Sequence, residues 1–362
     1  MTDTLHILKV ALDVPLDRVF DYRTDKPNTQ IGQYVVVPFG ARKMIGVVVG
    51  ISDTTAIESK KLKSIIRLDP EVIFDEQSFK LFQFCSQYYH YPLGQTILSA
   101  VPSRLKKLNT KAMAKKYLYR LTPKAIELGV DSLPPRQTIL KRIVMALIDA
   151  TLLDEASLRS ISSAWKKSIE TLDEMGWIEK EEVTLDDKVY TQAPIPSLND
   201  EQQKAFDEIS KTNKTFAAWL LYGITGSGKT EVYIRLIEEA LKKEDAQVLV
   251  LVPEINLTPQ LESRFRSRFE KYTLVTLHSH LTDNERLTHW RIAKEGAAQI
   301  IIGTRLSVFT PMPHLSLIII DEEHDASFKQ QEGLRYHARD VAIFRAKSEN
   351  IPIVMGTATP SL

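Results

Sequence analysis

Residues 223 to 230 read Gly-Ile-Thr-Gly-Ser-Gly-Lys-Thr. A glycine, four residues, then Gly228-Lys229-Thr230 is the spacing of a phosphate-binding loop. Glycines let successive backbone N–H groups turn to one side and approach an anion closely. The cofactor contacts would come from Gly223, Thr225, Gly226, Ser227 and Gly228. Lys229 would meet the β- and γ-phosphates of ATP, and the Thr230 hydroxyl would ligand Mg²⁺. A second cluster, Asp321-Glu322-Glu323-His324, ends the apolar run at 318–320. Asp321 is placed to hold Mg²⁺, and Glu322 to orient or deprotonate an attacking water. Lys229, Asp321 and Glu322 are the expected catalytic residues. Acids at a strand end are often only solvated turn residues; together with the phosphate loop they complete one phosphoryl-transfer site.

These groups need a scaffold that brings distant loops to one edge. TFAAWLLYG, QVLVLVPE, YTLVTLH, AQIIIGT, LSLIIIDEE and IPIVMGTAT are near-continuous apolar runs separated by amphipathic stretches. That pattern predicts a doubly wound parallel sheet covered on both faces, from about residue 193 to 362. The apolar run TFAAWLLY before the phosphate loop and the helix TEVYIRLIEEALKK after it are the flanks the motif requires.

Upstream, short β-rich runs are punctuated by Pro15, Gly32, Pro38, Gly40 and Gly50. A helix, a break at Pro92-Leu93-Gly94 and a second helix follow, which closes a small β-rich domain over 1–104. Residues 105–192 then give three helical segments and the strand WIEKEEVTL, the order of a winged helix. From Arg104 to Lys124 there are eight Lys/Arg and no acid, a segment suited to a polyanion although the net charge is only +1. Lys166 and Lys167 are candidates for duplex contact, and a solvated helix face explains them equally well.

The single cysteine, Cys85, excludes an intrachain disulfide and a cysteine-cluster zinc site. No run is long and apolar enough for a membrane span, and the N-terminus lacks a signal pattern. A cytoplasmic protein with no membrane partner is expected.

GITGSGKT, DEEH and GTATP together resemble three motifs of superfamily 2 helicases. LVPEINLTPQ, LHSHLTDNERLTHW, IIGTRLSVFTP, DEEHDASFKQQEGLRYHARDVA and PIVMGTATPSL narrow the likeness to the PriA replication-restart helicases, and FDY and VPFG extend it to the N-terminus. The fold this implies is multidomain α/β: a β-rich domain, a winged helix and the first RecA-like lobe. The resemblance implies an ATP-dependent 3′-to-5′ DNA helicase that recognises abandoned replication forks and is associated with the nucleoid. Its partners would be branched and single-stranded DNA, single-stranded-DNA-binding protein and primosome components.

The same resemblance assigns roles. Gln202 matches an adenine-contacting glutamine, whose amide suits an adenine edge. Thr357 and Thr359 match the motif coupling nucleotide state to DNA. Residues 327–337 resemble an aromatic-rich loop in which Phe328, Arg335, Tyr336 and His337 would meet single-stranded DNA, with Leu334 standing where many relatives carry another aromatic; by composition alone Phe328 and Tyr336 read equally well as core residues. Arg305 and the PEINLTPQ turn match DNA-backbone contacts, for which the forked arginine head is apt. Phe20, Asp21, Tyr22, Gly40 and Lys63 match a pocket for the 3′ end of a nascent strand.

The chain stops two residues after Gly-Thr-Ala-Thr-Pro, without a second α/β lobe or the paired zinc-binding cysteines of the family's other half. A piece of a longer protein is expected, with zinc confined to the part beyond it, and with little hydrolysis and no unwinding by this piece alone. The rival readings are a non-enzymatic fork-binding module and a phosphotransferase acting on a small substrate.

Overall fold

A computed structural model describes residues 6–58, 60–108, 117–135, 137–182, 196–212 and 215–360. The chain packs as two compact units, Lys111–Val189 in one and Met1–Thr110 with Tyr190–Leu362 in the other.

The larger unit begins with five antiparallel strands: β1 (His6–Leu12), β2 (Phe20–Thr24), β3 (Gln33–Phe39), β4 (Arg42–Ser52) and β5 (Arg67–Val72), in the order β2-β1-β4-β3-β5. Residues 63–66 join its two sides, since Lys63 O accepts from Arg23 N at 2.9 Å and Ile66 N donates to Val36 O at 2.8 Å. The sheet therefore curls around a core that includes Leu8, Val10, Tyr22, Val35, Val37 and Val48. Two helices follow, α1 (Glu76–Tyr88) and α2 (Leu93–Ala100), with the expected break between them. Asp75 starts α1 by accepting from Ser78 N, satisfying a donor the helix leaves free.

The smaller unit contains β6 (Tyr117–Leu121), α3 (Pro123–Leu128), α4 (Thr138–Ala150), β7 (Leu153–Asp154), α5 (Glu155–Ile161), α6 (Trp165–Glu174) and β8 (Ile178–Glu182). Its strands pair antiparallel in the order β7-β6-β8, and all four helices contribute to the core beside them. The longer helices bury apolar stripes at helical spacing, Leu140, Ile143, Val144 and Leu147 on α4 and Trp165, Ile169 and Leu172 on α6. Lys166 and Lys167 are both exposed on α6.

The larger unit resumes with α7 (Asp200–Ser210), β9 (Ala218–Tyr222), α8 (Lys229–Ala240), β10 (Gln247–Leu251), α9 (Pro259–Arg268), β11 (Leu274–Leu277), α10 (Asp283–Lys294), β12 (Ile300–Gly303), β13 (Leu315–Ile320), α11 (Ala338–Glu349) and β14 (Ile353–Thr357). The six strands form one parallel sheet, β11-β12-β10-β13-β14-β9, as the apolar runs foretell. β10, β11 and β12 are buried at every position, and each such Val, Leu or Ile contributes about 1.5–3 kcal/mol. β9 departs from the expectation of two covered faces: as an edge strand it leaves Ala218, Leu220 and Tyr222 exposed. This is the RecA-like lobe. Among the described residues, no helix is long and apolar enough to cross a membrane.

The basic segment expected to bind a duplex is partly committed inside the larger unit. Lys107 pairs with Asp283 at 2.9 Å, and Arg104 bonds the Asn284 side chain. Both partners open α10. Positions 109–116 of that segment lie outside the described residues.

Candidate functional site

The phosphate loop leaves β9 and enters α8 at the carboxyl edge of the sheet, where open α/β sheets hold their ligands. Gly228 caps α8 with φ 81°, a left-handed conformation that disfavours any Cβ. A Cβ there would also lie 2.4 Å from Gln202 Nε2. Thr225 and Gly226 are exposed, while Gly223, Ser227 and Thr230 are half-buried. Lys229 is buried; its Nζ donates to Gly223 O at 2.8 Å and lies 3.7 Å from Glu322 Oε1.

Gln202 belongs to a capping box that starts α7. Its Oε1 accepts from Asn199 N at 3.0 Å, and its Nε2 donates to Ser227 O at 2.8 Å. A carboxamide has two lone pairs and two N–H groups, so one direction of each kind is left for an adenine edge. The same residue thus fixes the loop and stands beside it.

Asp321 follows β13, and Tyr233 of α8 donates to its Oδ1 at 3.1 Å. Burial, then the neighbouring Glu322, push the Asp321 carboxyl above the ordinary carboxylate range; the Tyr233 hydroxyl and Lys229 pull the other way. A buried carboxylate with so little compensation fits an added cation. Among the described residues no cluster of three His, Cys, Asp or Glu side chains could hold a metal by itself. That suits Mg²⁺, which keeps waters and leans on phosphate oxygens besides one or two protein groups. Glu322 has φ 49°, uncommon for a residue with a Cβ. This turn aims its carboxylate back at Lys229 while Glu323 is buried under Arg339 at 3.0 Å.

The third segment is tied to the first two through the backbone. Gly223 N donates to Thr357 O at 3.0 Å, and Glu323 N to Gly356 O at 2.9 Å. Thr357 is buried with its Oγ1 2.8 Å from His324 Nδ1, and that Oγ1 also accepts from Thr359 N at 3.2 Å. Thr359 itself is exposed. Tyr233 and Arg339 were not among the sequence candidates, and Glu323 and His324 stood in the DEEH cluster without an assigned role. Their types carry no signal there, because only the fold brings α8 and α11 against the DEEH turn.

Beyond that turn, residues 329–337 form a hairpin, with Gln330 N donating to Tyr336 O and the positive-φ Gly333 near its tip. Gln331, Glu332 and Arg335 are exposed and His337 is half-buried. Phe328 and Tyr336 correct the expectation of two base-stacking rings. Both are buried, and Tyr336 meets Phe309 edge-on at 4.9 Å, although Tyr336 also lines the cavity that Arg305 lines. Leu334 is buried beside them. Arg305 donates to Ser327 O at 2.9 Å, which ties it to this segment. Arg305, Ser327, Gln330 and Glu332 line a cavity of about 480 Å³, closed on the other side by α2.

In the curled sheet, strand alternation divides the proposed end pocket. Phe20 and Tyr22 share one face of β2, and Asp21 points to the other. Tyr22 is a core residue whose hydroxyl donates to Pro38 O at 3.1 Å, a correction to its expected role at a DNA end. Phe20 is half-buried against Phe39 at 5.2 Å with the Arg18 guanidinium 5.0 Å from its ring centre. Asp21 pairs with Lys9 at 2.8 Å and accepts from Thr55 Oγ1 at 2.5 Å. Gly40 (φ 57°) and Lys63 are exposed, and a Cβ on Gly40 would meet nothing within 4 Å.

Residues 9–102 match a family described as the 3′ DNA-binding domain, and residues 199–361 match the DEAD/DEAH box helicase family. Replication restart protein PriA of Haemophilus influenzae is 38% identical over 99% of this chain and 50% of its own length. The Chlamydia pneumoniae protein of that name is 37% identical over 98% and 48%, and the Bacillus subtilis one 30% over 99% and 54%. Among solved structures, RecG bound to a three-way DNA junction aligns with 46% of this chain and 22% of its own, at 24% identity and a TM-score of 0.37. The chain spans about half the length of the curated relatives it matches. It belongs to the PriA replication restart family, and its two matched domains are those of that family's N-terminal half.

Proposed function

We propose that this chain is the fork-binding and nucleotide-binding half of an ATP-dependent 3′-to-5′ DNA helicase that restarts replication. The observation carrying the reading is the convergence of Lys229, Asp321, Glu322 and the Thr357 segment at one sheet edge, where Lys229 lies 3.7 Å from Glu322 and backbone bonds from Gly223 and Glu323 reach Thr357 and Gly356. Gly223 to Thr230 would cradle the phosphates of ATP, Thr230 and Asp321 would hold its Mg²⁺, and Gln202 would meet the adenine. Bound Mg²⁺ would neutralise charge on the phosphate oxygens. Glu322 would orient the attacking water, and Lys229 would turn from Gly223 O to phosphate.

Arg305, Arg335 and His337 would contact single-stranded DNA. Phe20, Asp21, Gly40 and Lys63 would surround a 3′ end, with the Lys63 ammonium on a phosphate and the Asp21 carboxylate accepting from base or hydroxyl. Lys166 and Lys167 are the candidates for duplex contact. The partners of the intact protein would be forked DNA, single-stranded-DNA-binding protein and primosome proteins, its zinc would sit in the other half, and its place would be the cytoplasm, at the nucleoid.

Affinity for synthetic forks with and without a 3′-hydroxyl at the branch tests the end pocket. Wild type should prefer the hydroxyl, and Asp21→Asn should lose roughly tenfold of that preference, the worth of one charge-assisted hydrogen bond. Equal affinity for both forks in wild type would remove the pocket.

A further inference from the structure

Tyr233 is almost fully buried, 1% exposed, and could be a mere core residue packed under the sheet. Its surroundings argue for more. It lies one helical turn after Thr230, and residues three apart on a helix share a face. Tyr233 thus lies on the same face of α8 as Thr230. Tyr233 Oη reaches Asp321 Oδ1 at 3.1 Å.

Room for that hydroxyl comes from Gly356 on β14. A Cβ built on Gly356 would stand 1.4 Å from Tyr233 Oη and 2.7 Å from its Cζ. Gly356 is not among the glycines with positive φ, so its backbone would accept another residue and only space forbids one. A phenylalanine would fill the core as well and avoid burying a hydroxyl. The hydroxyl and the gap that admits it both point at one carboxylate oxygen.

We propose that Tyr233 is a positioning residue: it holds the Asp321 carboxylate in the orientation that receives the metal of a bound nucleotide, and Gly356 keeps the passage open. This deepens the nucleotide reading and rests on it. The three segments of the cleft then share one side-chain joint in addition to their backbone bonds.

The test is binding of a fluorescent ADP to the whole chain, titrated in excess Mg²⁺ and again in EDTA. Wild type should bind more tightly with Mg²⁺. Tyr233→Phe should lose about tenfold of that Mg²⁺-dependent gain, as expected for a charge-assisted bond, while its affinity in EDTA stays within about twofold. In an Asp321→Asn background the same substitution should change nothing further, because its effect passes through that carboxylate. Gly356→Ala should reproduce the loss if it folds. A merely structural tyrosine would lower affinity equally with and without metal and would act additively with Asp321→Asn. Either result, or an unchanged Mg²⁺ gain in Tyr233→Phe, overturns the proposal. Absence of nucleotide binding by wild type, with nothing for Lys229→Ala to abolish, would sink the nucleotide reading itself and this inference with it.

Discussion

The nucleotide cleft and the corner around β2 gather their polar groups in different ways. In the cleft, the groups come from loops that leave β9, β13 and β14, three neighbouring strands of one parallel sheet. Parallel strands end on the same edge, so loops far apart in sequence must meet. Around β2, the candidates sit on an antiparallel strand and two nearby loops. Strand alternation then sends consecutive residues to opposite faces, and the fold consumes some of them. One arrangement forces its chemistry together; the other divides it between core and surface.

The largest test of that contrast is Tyr22→Ala. A core aromatic at 4% exposure should cost about 3–5 kcal/mol of stability on truncation, visible as a lowered denaturation midpoint. Half-buried Phe20→Ala should cost much less, so that any loss of DNA-end binding in it reports on the surface. A mild effect at Tyr22 would mean that the curled sheet does not depend on this ring.

Lys229→Ala comes next. It should weaken nucleotide binding by roughly a hundredfold, because it removes a buried ammonium beside the loop. Fork affinity should stay within about twofold, since the corner around β2 shares no residue with the cleft. A parallel loss of both activities would show that the two regions work as one site.

The contrast also explains what could be read in advance. All six parallel strands were legible as continuous apolar runs, five of them because the sheet covers them and the edge strand β9 although alternate residues of it are exposed. The phosphate loop was legible because its groups are contiguous and depend on backbone conformation. Phe328 and Tyr336 stayed open between core and strand contact because composition does not say which way a ring turns; in the hairpin, alternation sends 334 and 336 inward together. Tyr22 was misplaced for the same reason, since FDY reads alike whichever face the strand buries. Tyr233 was invisible, because its partner lies across the sheet and the gap that admits it belongs to a third segment. Motifs announce loops; they say little about the side chains that brace them.

The smallest effect concerns the joint between α1 and the hairpin after DEEH. Phe84 stacks on Phe344 at 3.8 Å, Tyr89 Oη accepts from His337 N at 3.2 Å, and Lys329 lies 5.5 Å from the Tyr89 ring centre. His337 caps α11 by accepting from Arg339 N through Nδ1, which requires that nitrogen to be unprotonated. Burial holds its pKa below the usual 6.5, with Asp340 and Glu323 opposing and the Arg339 and Lys329 charges adding to the shift. A depressed folded pKa means that below pH 6.5 the unfolded chain takes up the proton first. Stability contributed by neutral His337 is therefore full above 6.5 and is lost as pH falls from there to the folded value. His278, also depressed mainly by burial, adds a slope of the same sign. Asparagine is an equally good cap that does not titrate in this range. Melting temperatures of wild type and His337→Asn, compared at about pH 7.5 and about pH 5.5, should differ more for wild type. If the substitution leaves the drop unchanged, the acid sensitivity of this unit lies elsewhere and the joint does not sense protons. If the drop shrinks, mild acid should loosen the contact between α1 and the hairpin before it disturbs the nucleotide cleft, and the two regions would separate by pH as well as by mutation.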